Sequence, residues 1–376
     1  MSRILRDLLV LALVLPVLAS AAPAQEKPAS PAEQYQALVK LYQDAMQAYS
    51  QAVGKAKTFE ERIKLFAEAY PKPEKLAPRF LELAERYPQD PVAFDALSWI
   101  VVTCARSPAR IPARVKAVAI LSRDHARREK LGPMCQGLAA SYDEETAPLL
   151  SAILDKNPSQ DVQAEACLAL VQQYGRRLDI AKRLHYHPET GTGFANAFGW
   201  EAVERLKKAD TAKLAAEGKR YAKQLTETYL SRLKPDRIAQ LCQAHSYSTD
   251  LVSETLLRTM LEKDARREVQ GPATLTLALV LKRRLDMTPA GAEKTASQVR
   301  AECEKLLRRA ADKFGDVKLA AGGTVGAKAE LELDDVLHLA VGKVSPDIEG
   351  PDQDGNRFKL SDYRGKVVLL DFWHTY

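Results

Sequence analysis

The sequence predicts a mainly α protein: an irregular stack of α-hairpins, TPR- or HEAT-like in the loosest sense, followed by the opening of a small α/β segment. Three observations carry that expectation. The middle of the chain is rich in Ala, Leu, Glu, Lys, Arg and Gln and poor in aromatics, a mixture that favours helix and disfavours an all-β fold. From Gln34 to about Phe314 apolar residues recur every three or four positions, with Pro and Gly between the periodic stretches. From Val341 the grammar changes to short extended pieces and turn residues, ending on the β-branched and aliphatic run "KVVLLDF".

At the N-terminus, "MSRILRD" supplies positive charge, "LLVLALVLPVLA" an apolar stretch and "SAAPAQ" small residues. This is the three-part layout of a secretory signal peptide, expected over residues 1–24. Ala22-Pro23-Ala24 satisfies the small-x-small rule, so cleavage is expected before Gln25, with cleavage after Ala21 as the alternative. The apolar run is short for a membrane span, an uncleaved anchor being the other reading. The mature protein is expected to be exported, in the periplasm or cell envelope, with no membrane span after cleavage. Residues 25–33 carry Pro, Ala, Ser and Glu and are expected to form a disordered tail.

Residues 34–320 read as one helical, repeat-like domain. The stretch beginning "CQGLAASYDEETAPLL" at Cys135 aligns without a gap with "CQAHSYSTDLVSETLL" at Cys242, an offset of 107 residues. Leu150, Leu154, Val162, Ala166 and Leu170 then match Leu257, Leu261, Val269, Ala273 and Leu277. Residues four apart lie on one face of a helix, so each copy is expected to be an α-hairpin with its inner faces packed together. A fainter copy places Val92, Ala96 and Ile100 at an offset of 70, and the unequal spacing argues against a regular solenoid. Between the two clear copies, "HYHPETGTGFANAFGW" (185–200) reads as a non-helical surface insertion. His185, His187 and Glu189 alternate, as metal ligands on an extended strand would. Pro188 interrupts them and no fourth ligand is in view, so no metal is expected. "GTGFANAFG" lacks the Lys-Ser/Thr end of a phosphate loop and a preceding strand, and no cofactor is expected either. Gly322, Gly323 and Gly326 mark residues 321–340 as a Gly-containing linker with one short helix.

The formal charge of +6 is modest, and Lys and Arg alternate with Asp and Glu instead of forming a basic stripe with stacking aromatics. No nucleic-acid partner is expected. Five cysteines, Cys104, Cys135, Cys167, Cys242 and Cys303, are scattered without a C-x-x-C or a metal-ligand spacing. An oxidising compartment permits disulfides, although an odd number leaves one thiol over within the chain. Contexts such as "WIVVTCA" and "EACLALV" favour buried, hydrophobe-like thiols.

In residues 341–376, Asp354-Gly355 signals a turn between extended pieces around Ile348 and around Arg357–Leu360. Ser361 is the candidate cap of the turn "LSDYRG", Gly365 its exit, and Val367–Phe372 an expected strand covered on both faces. The ordered series Val341, Gly342, Pro346, Asp347, Asp354, Gly355, then Leu360, Ser361, Asp362, Gly365, Lys366, and finally Val367 to Leu370, Phe372 and Trp373, resembles the opening of the thioredoxin-like redoxins. The likeness is greatest to exported thiol–disulfide oxidoreductases of TlpA/ResA type and to the related AhpC/TSA group. It covers about a tenth of the chain and says nothing of the helical remainder.

The resemblance implies dithiol–disulfide exchange with protein thiols or disulfides, or peroxide reduction in the AhpC/TSA variant. In that family the strand leads into W-x-x-W-C-x-x-C, and Tyr376 stands where the second Trp would be. The attacking cysteine would be the next residue, so the segment is expected to be the truncated front of a redoxin domain. No catalytic residue can be carried onto this chain, and the chain by itself is expected to be inactive. Two functions follow: an exported redoxin with an N-terminal helical interaction domain, or a non-enzymatic helical scaffold of the cell envelope.

Overall fold

The computed structural model describes residues 29–105, 111–142, 144–246, 251–286, 293–339, 344–352 and 354–371. The expected signal segment 1–24 therefore lies outside the described residues, as do Val341, Gly342, Phe372, Trp373 and Tyr376. The chain is mainly α. Its helices are α1 (Pro31–Lys55), α2 (Phe59–Ala69), α3 (Ala77–Arg86), α4 (Pro91–Thr103), α5 (Pro112–Ile120), α6 (Gly132–Leu138), α7 (Ala147–Lys156) and α8 (Gln160–Tyr186). There follow α9 (Gly191–Phe198), α10 (Trp200–Lys207), α11 (Thr211–Gln224), α12 (Pro235–His245), α13 (Leu251–Lys263), α14 (Arg267–Asp286), α15 (Glu293–Phe314) and α16 (Val325–Asp334). Two three-residue strands, β1 (Glu349–Pro351) and β2 (Arg357–Lys359), pair antiparallel near the C-terminal end.

Local chemistry sets many of the helix starts. Ser30 accepts from the Glu33 N–H while the Glu33 carboxylate accepts from the Ser30 N–H at 2.7 Å, and Thr58 and Glu61 repeat the device at α2. Each reciprocal pair satisfies two backbone donors that a helix start would otherwise leave open. The first helix thus begins at Pro31, inside the segment expected to be a disordered tail. The cap is worth more than the polar composition suggested.

The expected hairpins form. Leu150, Leu154, Val162, Ala166 and Leu170 are buried on α7 and α8, and Leu257, Val269, Ala273 and Leu277 on α13 and α14, with Leu261 packed against the same core. The fainter copy also holds: Val92, Ala96 and Ile100 are buried on α4. Repetition extends to the polar turns. The Asn157 side chain accepts from the Ser159 N–H at 3.0 Å, and Asp264, its counterpart, accepts from the Arg266 N–H at 3.0 Å. Gln163 donates to the Asn157 carbonyl, and its counterpart Gln270 donates to the Asp264 carbonyl. A backbone carbonyl at the hairpin bend is bonded in the same way in both copies, which fixes the angle at which the second helix leaves.

Buried polar groups are satisfied differently in the two copies. Gln173 donates to the Leu138 carbonyl and to Thr146 in the first. In the second, Val280 stands at the Gln173 position, and His245, at the Leu138 position, lies 2.6 Å from Ser253, the counterpart of Thr146. Each copy moved its polar partner while keeping the buried hydroxyl paired, as low-dielectric surroundings demand.

Three further expectations need correction. The segment 185–200 is mostly helical: α8 runs to Tyr186, a 3₁₀ turn covers 188–190, and α9 and α10 follow, separated by Gly199 at φ 84°. Phe198 stacks on Tyr142 at 4.6 Å and joins Ile180, Leu184, Val203 and Leu206 in a small satellite core. Aromatic burial there outweighed the glycines that suggested a loop. The second correction concerns 321–340, where the expected short helix is present as α16 but the linker is not. Val325, Ala329 and Val336 belong to the main core, so the helical body runs on past residue 320. Gly322 and Gly323 make a tight turn at positive φ, Val325 donates to the Val317 carbonyl, and Gly326 meets Gly315 backbone to backbone. A Cβ on Gly326 would lie 2.7 Å from the Gly315 Cα, which explains glycine at that contact without any hinge.

The third correction is the expected strand at Val367–Phe372. Residues 367–371 are not a strand, and Val367 and Leu369 are almost fully exposed. A strand needs a neighbour to take its backbone hydrogen bonds. Among the described residues the one sheet is β1 with β2, and neither pairs with this run.

Candidate functional site

The segment that carries the redoxin resemblance is organised by two aspartates. Asp352 closes the β1–β2 hairpin: its carboxylate accepts from the backbone N–H of Asp354 at 2.9 Å and of Asn356 at 2.8 Å. Gly355, at φ 85°, supplies the left-handed residue such a turn needs. Asp347 sits across the segment and accepts from the Ser361 N–H and hydroxyl, each at 2.8 Å. These bonds hold the Asp347 carboxyl below its ordinary value, the Ser361 hydroxyl contributing most. Ser361 was expected to cap the "LSDYRG" turn. It lies instead inside a 3₁₀ turn, 360–363, whose entry is satisfied by Asp362 accepting from the Lys359 N–H. Gly365 leaves the turn at φ 83°, as expected. The segment holds shape through local polar bonds and presents no thiol.

All five cysteines are buried thiols in the helical body. Burial pushes Cys104, Cys135, Cys167 and Cys242 up to about 12. A thiol that ionises so reluctantly is a poor nucleophile near neutral pH. The Cys167 and Cys303 sulfurs donate to the carbonyls of Tyr221 and Ala278, which ties them further to structural roles. Cys135 and Cys242, at equivalent repeat positions, sit at equivalent core positions on α6 and α12.

The alternating trio at 185–189 does not come together as a metal site. His187 approaches Glu189 at 3.2 Å, while His185 packs edge-on against Tyr186 at the end of α8. Among the described residues no group of three or more His, Cys, Asp or Glu is arranged to hold a metal ion.

Sequence reasoning missed the clefts around α12. One, of about 630 Å³, lies between α12, α14, α16 and the Gly322–Gly323 turn. Leu275, Leu279 and Leu331 contribute apolar surface, and Lys282, Arg283 and Lys328 contribute charge. Lys282 bonds Glu332 at 2.6 Å and also Asp335. Burial works against the Lys282 charge, but those two carboxylates outweigh it and hold its ammonium above the ordinary value. A second cleft, of about 490 Å³, lies among α6, α8 and α12 and is rimmed by glutamine and arginine. These residues come from separate hairpins, and nothing in their spacing along the chain announces that they converge.

Comparison with known proteins yields one short likeness of note. The chain is 50% identical over 38 residues to the thiol-disulfide oxidoreductase ResA of Geobacillus kaustophilus (strain HTA426). That match covers 10% of this chain and 22% of the oxidoreductase, so the chain spans about a fifth of that relative's length. No family model matches the chain, and no solved structure matches it. Among the described residues no helix is long and apolar enough to cross a membrane.

Proposed function

We propose that this chain belongs to an exported redoxin-type thiol–disulfide system, with its helical body serving as the part that docks partner proteins. The observation that carries the reading is the 38-residue likeness to a thiol-disulfide oxidoreductase, together with the ordered D-G, L-S-D and G-K-V-V-L-L residues of the C-terminal segment. The turns signalled by these residues do form: Asp347 bonds Ser361, and Gly355 and Gly365 sit at positive φ. The chemistry would be thiolate attack on a disulfide, releasing the other sulfur as a thiolate. None of the five cysteines has the setting for that attack, since each is buried in the body. The 376-residue chain by itself is therefore expected to give no turnover in an insulin-reduction assay. The positive test is a chimera in which residues 341–376 replace the matching stretch of the Geobacillus oxidoreductase. Retained insulin reduction within about tenfold of the parent supports equivalence, about 1.4 kcal/mol at most being lost from the transition state. A folded but inactive chimera, or one that fails to fold, removes the basis of the redoxin reading.

A second reading, a non-enzymatic scaffold of the cell envelope, draws on the inert thiols and the clefts in the helical body. Under that reading, deleting residues 341–376 leaves partner binding unchanged.

A further inference from the structure

None of the eleven residues of α2 is buried. A helix that short is marginal in water unless it packs against something else. α2 is held by its capping box at Thr58 and Glu61 and by Tyr70, whose ring meets Tyr49 of α1 edge-on at 5.2 Å. Its apolar residues Phe59, Ile63, Phe66 and Tyr70 follow one another at intervals of four, three and four. That alternation lays one seam along a helix, the pattern by which helices pair knobs into holes. Among the described residues nothing closes the centre of this seam. Ile63 is 53% exposed and Phe66 55%, and Tyr70 keeps 36% exposure despite its ring contact.

Intervals of four, three and four read the same in both directions. A second α2 laid antiparallel, about a two-fold axis between Lys64 and Leu65, sets Phe59 opposite Tyr70 of the other copy and Ile63 opposite Phe66. In that register Glu60 faces Ala67 and Arg62 faces Ala69, so no like charges meet, and the small residues let the helices approach closely. We infer that two copies of this chain associate through α2, its seam packed antiparallel against itself around a two-fold axis. Two other neighbours fit less well. A helix lying on an anionic membrane shows a Lys- and Arg-rich polar face, whereas α2 carries Glu60, Glu61 and Glu68 against Arg62 and Lys64. An unrelated protein has no reason to match a seam that is its own complement, which is the requirement of a two-fold interface. Size sets the strength. At roughly 200 Å² per large side chain, the exposed parts of Ile63, Phe66 and Tyr70 amount to about 300 Å² per copy. That is under half of the ~800 Å² each partner gives to a standard interface, so the pairing is expected to be of micromolar strength.

Sedimentation equilibrium of the full 376-residue chain, over about 1–100 μM, tests the pairing. A reversible monomer–dimer equilibrium with a dissociation constant of about 10 μM is expected. Ile63→Gln and Phe66→Gln place a good helix former at positions more than half exposed, so the thermal melt should stay unchanged. Each is expected to raise the dissociation constant about tenfold or more. Crosslinking reads the register. Under mild oxidation with copper phenanthroline, an Ile63→Cys chain mixed with a Phe66→Cys chain should form the mixed disulfide in preference to either chain with itself, the five native thiols being buried. A chain that stays monomeric at about 100 μM, a dimer that both glutamine variants leave intact, or crosslinking without preference for the mixed pair overturns the proposal. So does a monomer that binds phosphatidylglycerol vesicles and loses that binding in Phe66→Gln, which would assign the seam to a membrane. No step of this test reads redox turnover, so its failure and that of the redoxin reading are told apart.

Discussion

The helical body and the C-terminal segment use similar aliphatic residues in opposite ways. In the body, Leu150, Leu257 and Leu307 are wholly buried; in the segment, Val367 and Leu369 lie open to solvent. The difference teaches that burial here follows the availability of partners, not side-chain chemistry. A helix satisfies its own backbone and needs only an apolar face to meet, whereas a strand must first find a neighbour for its hydrogen bonds. The body therefore closes on itself, while the segment keeps shape through the short β1–β2 pairing and aspartates that bond nearby N–H groups. The part that resembles a known enzyme is the least packed, and the best-packed part resembles no solved structure.

The largest expected effect tests whether the body is one cooperative unit. Arg114 is almost completely buried, donating to the Cys104 carbonyl at 2.6 Å and to Glu145 at 3.1 Å, and so ties α5 to the end of α4 and to the turn before α7. Arg114→Ala removes the buried cation that Glu145 faces and leaves a void. It should cost about 3–5 kcal/mol in urea unfolding, with little change in m-value. Arg114→Met, which keeps the packing, should cost less. A loss under about 1 kcal/mol would show that the interior bond is dispensable and the body looser than its burial implies.

A smaller effect comes from the thiols and depends on pH. In the unfolded chain a cysteine ionises near pH 8.5. In the folded body Cys104, Cys135, Cys167 and Cys242 hold their protons to about 12 because of burial. The native state thus binds more protons than the unfolded state across that window. The stability these thiols contribute is fully present below about pH 8 and is lost as pH rises toward 12. Tyr42, pushed up to about 12 mainly by burial, adds loss of the same sign at the alkaline end. Thermal melts should hold level up to about pH 8 and then fall steadily to about pH 10, and Cys242→Ala should lessen the fall. A melting temperature that holds constant over that range would contradict the buried-thiol assignment.

Much of the body was legible in its periodicity. The 107-residue offset placed Leu150 and Leu257 on matching faces, and the structure adds matching bends at Asn157 and Asp264. Legibility failed where tertiary packing outweighed local signals. Glycines at 191, 193 and 199 suggested a loop, yet Phe198 is buried in the small core with Leu184, Phe194 and Tyr142 pack against it, and the segment stays helical. Glycines at 322, 323 and 326 suggested a linker, yet Gly326 is needed for contact with Gly315. The clefts around α12 were invisible because residues such as Gln172, Gln243 and Leu331 belong to three different helices. In the C-terminal segment the D-G turn was readable from two residues, because such a turn is a local event. The Asp347–Ser361 bond was not, since it joins residues fourteen apart in a stretch without helical period.

That bond supports the smallest prediction, and the one confined most tightly to the segment. Asp347 accepts two hydrogen bonds from Ser361, and the hydroxyl is the larger cause of its lowered carboxyl value. A depressed carboxylate contributes order that is present above its ordinary pKa and is lost as pH falls through the lowered value. Ser361→Ala removes the hydroxyl but keeps the backbone N–H, so the Asp347 carboxyl should move part of the way back toward the ordinary range. Carboxyl-carbon NMR titration of Asp347 reads that shift directly. Thermal stability of the body should stay unchanged, because none of the residues bonded to Asp347 belongs to the helical core. If Ser361→Ala also lowered the body's melting temperature, the segment would be coupled to the helices, and the contrast between a self-contained body and a locally bonded segment would have to be abandoned.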